Sequence, residues 1–188
     1  MEIWVTADQH FGHQSSTDPK SGIIHFCNRP FDNIKQHDEC LLELWNKNVQ
    51  KNDIVYFVGD LSFHPDWYLD KLNGKIFFIM GNHDKRQAPW YSKYRNVIKV
   101  CDRLCTGIGS EYVVFEHFAM RVWPRSHFNS WHCYAHSHGR LPGQGKSMDV
   151  GVDSAFRVVG DYRPFNWEEV KDYLTNAPDN FNLVKKAR

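Results

Sequence analysis

Hydrophobic residues in this chain gather in short runs separated by polar stretches. Ile3 to Thr6, Ile54 to Val58, Ile76 to Met80, Tyr112 to Phe115, Trp131 to Ala135 and Met148 to Val152 are too short for helices. Each predicts a buried strand. Between the first two lies "DNIKQHDECLLELWNKNVQ", where Ile34, Leu41, Trp45 and Val49 recur at helical spacing with polar residues opposite, which predicts an amphipathic helix. A shorter helix is expected at Pro65 to Leu72, with proline suited to the first turn. Asn166 and Glu169 have the spacing of a capping box, opening a helix through about Leu174. Strands alternating with helices early, then mostly strands, predict an α/β or α+β sandwich.

The ends of the runs carry the chemistry. "EIWVTADQH" delivers Asp8 and His10, "IVYFVGD" delivers Asp60, and "KIFFIMGNHD" delivers Asn82, His83 and Asp84. "YVVFEH" ends in His117, and "CYAHSH" supplies His136 and His138. The carboxyl ends of strands in an open α/β sheet line one crevice, so these groups are placed to converge. Taken singly, Asp8 or Asp60 after a strand is more often a turn or cap residue. Together they form a mixed nitrogen and oxygen ligand set without thiolate, which suits manganese, iron or a catalytic zinc. Seven candidate ligands exceed what one ion in an open site needs, so two ions are inferred, with a carboxylate between them; Asp60 is the choice for that position.

Composition narrows the setting. The chain has 188 residues, 41% hydrophobic and 24% charged, a size and make-up expected of one globular domain spanning 1–188. Lys and Arg total 23 against 22 Asp and Glu, so no whole-molecule field steers it to nucleic acid or membrane. Five cysteines without CxxC spacing and an N-terminus without signal-peptide character predict reduced thiols in a cytoplasm, and no run is long enough to span a bilayer. The loops at 12–22 and 139–147 are too short to be linkers, and the "NLVKKAR" tail reads as a frayed end.

The order Asp8-x-His10, Gly59-Asp60, Gly81-Asn82-His83-Asp84, His117 and His136-x-His138 resembles the calcineurin-like metallophosphoesterase superfamily over most of the chain. "TADQHFGH", "CNRPF" and "AHSHGRLP…MDVGVD" further resemble its small phage and bacterial members. Ala135 and Glu116 stand where that pattern often has glycine. The resemblance implies a two-sheet β-sandwich flanked by helices in four layers. It implies two divalent metal ions, manganese preferred with iron, zinc or nickel as alternatives. Asp8, His10 and His138 would hold one ion, Asn82, His117 and His136 the other, with Asp60 between. His83 would face the scissile phosphate, Asp84 would orient its ring, and a hydroxide bridging the ions would be the nucleophile. The expected substrate is a phosphodiester, a nucleotide or short nucleic acid.

Two other classes stay open: a phosphomonoesterase, including a protein phosphatase, and a binding module that has lost the chemistry. "GDLSFHP" lacks the arginine that protein phosphatases resemble one another in placing soon after this aspartate. His13 and Arg140 are further candidates for substrate contact. Lys85, Arg86, Arg121 and Arg125 are expected to be solvated, His64 is expected to stand outside the chemistry, and His25, His37, His127 and His132 are expected at the surface or in packing. Phe118, Trp123, Phe128 and Trp131 are expected in the aromatic core, and Cys101 and Cys105 as buried thiols.

Overall fold

The computed structural model describes every residue except Ser16, Pro19, Lys85 and 185–188, so the reading of Lys85 and of the last tail residues lies outside the described residues. In chain order the elements are β1 (Ile3–Thr6), α1 (Ile23–Cys27), α2 (Ile34–Asn48), β2 (Ile54–Phe57), β3 (Lys75–Ile79), α3 (Ala88–Tyr91), β4 (Val97–Cys101), β5 (Arg103–Ile108) and β6 (Glu111–Glu116). Then come β7 (Trp131–Tyr134), β8 (Ser147–Asp149), α4 (Val152–Val159), β9 (Phe165–Asn166) and α5 (Trp167–Asn176). One sheet has the order β4-β3-β2-β1-β9 and the other β5-β6-β7-β8. The β1-to-β4 pairings are parallel and β9 is antiparallel to β1; in the second sheet only the β5–β6 hairpin is antiparallel.

The continuous apolar character of the early strands follows from burial on both faces. Val5, Tyr56 and Ile79 point into the layer between the sheets, where they meet Val113, Phe115 and Met148. The alternate residues Trp4, Val55, Phe57, Ile76 and Phe78 point the other way, onto Leu41, Trp45 and Val49 of the α2 segment. The Tyr56 and Phe115 rings stack across the inter-sheet layer at 4.5 Å between centroids. Helix α2 starts where Asn33 accepts from the Gln36 amide, and α5 carries the expected capping box of Asn166 and Glu169. The architecture is α/β, two mixed sheets with flanking helices.

Several local expectations are corrected. The run Met148 to Val152 is a strand only to Asp149, and Val152 opens helix α4. Residues 65–71 form two short 3-10 turns rather than one helix. Strands β4, β5 and β9 were not signalled by apolar runs; β4, at a sheet edge, leaves Ile98 and Lys99 exposed. Cys101 and Cys105 lie on successive strands, Cys101 half-buried and Cys105 exposed. Trp123 and Trp131 are buried as expected, whereas Phe118 and Phe128 are 46% and 68% exposed. Among the described residues, no helix is long and apolar enough to cross a membrane.

His132, on β7, is a packing residue with a pH signature. It is fully buried, its Nδ1 lies 3.0 Å from the Val114 carbonyl, and its Nε2 accepts from the Met120 amide at 3.2 Å. That pattern requires the neutral ring with its proton on Nδ1. Burial lowers its pKa to about 4. Because the unfolded ring binds a proton near pH 6.5 and the folded one does not, this contribution is complete above pH 6.5 and is lost as pH falls toward 4. The loss amounts to roughly 3 kcal/mol. Urea titrations at steps between pH 7 and pH 4 should show the midpoint falling in wild type and a shallower fall in His132→Gln. Equal slopes would remove His132 from the acid response.

Candidate metal centre

Five strand ends deliver the candidate ligands to one place. Ligand atoms of Asp8, His10 and His138 lie within 4.8 Å of one another, as do those of Asp60, His117 and His136. Asp60 belongs to the second group but reaches the first: its Oδ2 is 3.3 Å from His117 Nε2 and 3.6 Å from His10 Nε2. Asn82 Oδ1 lies 3.0 Å from His117 Nε2. The structure thus brings all seven proposed ligands together.

The backbone is bent to do this. Asp8, His10, Asp60, His136 and His138 all have positive φ, between 51° and 67°, a region that non-glycine residues seldom occupy. Such strain, of order 1–3 kcal/mol per residue, persists only where surrounding bonds hold it. Here Asp8 Oδ2 accepts from the His136 amide at 2.9 Å, and Asp149 takes the Ser137 hydroxyl and the Gly139 amide of the same loop. Close approach also matters: a Cβ on Gly81 would stand 2.2 Å from Asp60 Oδ1, so only glycine lets the Asn82 loop meet the aspartate.

The fit to a cation can be judged from the donors. His117 Nδ1 lies 2.8 Å from the Val58 carbonyl and His138 Nδ1 lies 2.7 Å from Asp153 Oδ2, which turns each Nε2 toward the cluster. Asp8 Oδ1 and both His10 nitrogens are buried without a hydrogen-bond partner. Burial pushes the Asp8 carboxyl up to about 7 and holds the His10 ring well below its usual range. Burial works against charge on His117 and His138 too, but the Asp60 and Asp153 carboxylates outweigh it and raise them to about 9 and 10. Burial also disfavours the Asp60 anion, yet the His117 bond and charge, with the His83 amide, keep that carboxyl below its ordinary value. Orphaned lone pairs beside two buried carboxylates, with protons standing in where they can, fit a divalent cation.

Asp84 is the correction among the site residues. It does not hold the His83 ring: its Oδ2 accepts from the Asp60 and Gly81 amides at 2.8 Å, and its Oδ1 from Leu61 at 3.1 Å. Its work is to pin the Asp60 turn against the Asn82 loop, and burial raises its carboxyl to about 6. His83 is half-buried, its amide bonded to Asp60 Oδ1 and its ring 5.3 Å from that of His10. The His13 ring lies 5.2 Å from His10 and 5.8 Å from His83. Burial, then His83, lowers its pKa to about 4. Arg140 turns its guanidinium to the Phe26 carbonyl. Exposed His64 stacks on Trp67, and His25 and His127 are exposed.

The residues the sequence reading missed lie behind the ligands. Buried Arg29 makes a bidentate pair with Asp153 at 2.7 and 2.9 Å and donates to the carbonyls of Asp8 and Gln9. It also donates to His37 Nε2, whose Nδ1 meets Asp38. Their signals were "CNRPF" and "MDVGVD", visible as motifs without an assigned role.

A family model described as calcineurin-like phosphoesterase matches residues 1–144. The chain belongs to that family. Membership in it implies divalent metal cofactors, and the two clusters supply candidate ligands for them. An uncharacterised protein of Methanocaldococcus jannaschii is 41% identical over 90 residues, 45% of this chain and 47% of that protein. The gene 66 protein of Mycobacterium phage L5 is 27% identical over 121 residues, 61% of this chain and 49% of that one. The chain spans about half the length of the curated relatives it matches. A solved Aquifex aeolicus protein of unknown function superposes with a TM-score of 0.63 at 18% identity, covering 92% of this chain and 98% of its own. A structure described as a novel archaeal phosphodiesterase gives 0.50 at 19% identity over 80% and 84% of the two chains. At these identities the likeness speaks to the fold.

Proposed function

We propose that the chain is a metal-dependent phosphoester hydrolase with two divalent ions, preferentially manganese, acting on phosphodiesters such as a nucleotide or short nucleic acid. The observation that carries this reading is Asp60 Oδ2, placed between His10 of one ligand group and His117 of the other. Asp8, His10 and His138 would hold one ion and Asn82, His117 and His136 the second, with Asp60 shared. When bound, the ions supply Lewis acidity at the phosphoryl oxygens and a water ionised near neutrality.

The chain's own residues do the rest. Asp60, Asp8 and the imidazoles would hold the ions, and Asp153 and the Val58 carbonyl fix the tautomers of His138 and His117. His83 is half-buried beside His10, and from there its ring N–H would donate to a phosphoryl oxygen or to the departing alkoxide. His13, kept neutral, lies next to it, the two rings 5.8 Å apart.

The test is hydrolysis of bis-p-nitrophenyl phosphate against the p-nitrophenyl monoester with Mn²⁺ added. Diester turnover should exceed monoester turnover, and His83→Ala should lower it by about a hundredfold while metal content holds, the size of a lost general acid. Dominant monoester turnover would favour a phosphomonoesterase, and none on either substrate would favour a binding module. Unchanged turnover in His83→Ala would remove that ring from the chemistry.

A further inference from the structure

We propose that the cleft at the N-terminal ends of β2, β3 and β4 is a second binding site, for a nucleoside monophosphate, at the opposite end of the sheet from the candidate metal ligands. Lys51 stands before β2, Lys75 opens β3 and Arg95 stands before β4, and all three line a cleft of about 670 Å³ with Asp70, Asn96 and Ile98. That volume is of the size of a small-molecule site. The three strands are parallel, and Asp60 and Asn82 follow β2 and β3 at their far ends. Five residues of β3 separate the two ends by roughly 16 Å. The proposal therefore stands apart from the hydrolase reading.

Charge sets the sign of the ligand. The chain as a whole is nearly neutral, 23 Lys and Arg against 22 Asp and Glu, yet this cleft gathers three cations against the single carboxylate of Asp70. Among the described residues, the side chains of Lys51, Lys75 and Arg95 have no hydrogen-bond, ion-pair or cation–π partner. Like charges brought together repel, and an anion seated among them relieves the repulsion. The local excess of two positive charges matches a phosphate monoester, which carries about −1.5 to −2 at neutral pH.

Asn96 adds a demand of a different kind. Its amide nitrogen donates to the Leu69 and Leu72 carbonyls, at 2.7 and 2.9 Å, so both hydrogens are used and the oxygen is fixed as an acceptor. That oxygen is buried and has no partner. An acceptor left in this state costs free energy until a donor reaches it. An ionised phosphate has no hydrogen to give, whereas a nucleobase carries N–H groups beside its flat apolar faces. Exposed Ile98 supplies an apolar wall in the same cleft. A single nucleotide, anionic at one end and a donor at the other, answers both demands. A nucleic-acid strand needs cations spread along a track, and here they converge.

The test is calorimetric titration of the Mn²⁺-loaded chain with the non-hydrolysable phosphonate analogue of adenosine monophosphate. Lys75→Gln and Arg95→Gln should each weaken one binding event by about tenfold, and together by about a hundredfold, the size of lost charge-assisted hydrogen bonds. Lys75→Arg, which keeps the charge, should retain the event, and so should Asp60→Asn, which alters only the far end of the sheet. Inorganic phosphate should bind there at least about tenfold more weakly than the analogue, since it leaves Asn96 unanswered. Unchanged affinity in the double variant overturns the site. Equal affinity for inorganic phosphate overturns the nucleotide, and octathymidylate binding more tightly than the analogue, with loss in the same variants, overturns it in favour of a strand. Turnover of bis-p-nitrophenyl phosphate should stay at the wild-type value in both Gln variants. Should wild type show no turnover, the hydrolase reading falls alone and the calorimetry still decides this site.

Discussion

Asp60→Asn is expected to lose bound metal and to lower diester turnover by at least about a thousandfold, ~4 kcal/mol of barrier. The amide preserves shape and can still accept the His83 amide, which donates to Oδ1 at 2.8 Å. What it lacks is the charge on Oδ2 facing His10 and His117, and two cations a few ångströms apart repel without a shared anion. Metal analysis after gel filtration separates this from the effect at His83. Asp60→Asn should fall well below the wild-type metal content while His83→Ala should not. Wild-type metal content and turnover in Asp60→Asn would dismiss the shared-carboxylate arrangement.

Arg29→Met should destabilise the fold by about 3–5 kcal/mol, since it leaves Asp153 buried beside a single partner, His138. For a chain of this length that is a fall of roughly 10 °C in Tm. Burial raises the Asp153 carboxyl, but Arg29 and His138 overcome this and hold it at about 2. Its stabilising contribution is thus present above the ordinary carboxylate range and lost only as pH falls toward 2. The arginine also clamps the Asp8 and Gln9 carbonyls, so metal affinity should drop by about tenfold to a hundredfold. Melts in EDTA isolate the folding term from metal linkage. Adding Asp153→Leu to Arg29→Met removes the unpaired charge and should restore much of the stability but none of the affinity, because His138 then has no carboxylate at Nδ1. Recovery of both would show that the pair is structural alone.

The buried strands and the two capped helices were legible because each is announced within a few residues. Apolar runs ending in Asp8, Asp60 and Asn82 told both the strand and the candidate ligand, and Asn166 with Glu169 told the cap. Strands β4 and β9 were not, since an edge strand and a two-residue pairing leave little apolar pattern to read. Val152 was misplaced because an apolar residue after a strand looks the same whether the strand goes on or a helix begins. Asp84 was given to its neighbour His83, the nearest group in sequence, while its carboxylate in fact meets amides more than twenty residues away at Asp60 and Leu61.

By itself, then, the sequence determined which atoms exist to bind a cation and that strand ends carry them, because ligand type and strand periodicity are local properties. Tertiary structure alone decided that Asp60 reaches both ligand groups, that Arg29 and Asp153 stand behind His138 from opposite regions of the chain, and that Phe118 faces outward rather than into the core. Those facts depend on packing one sheet against another, and a direction set by packing leaves no mark on the order of residues.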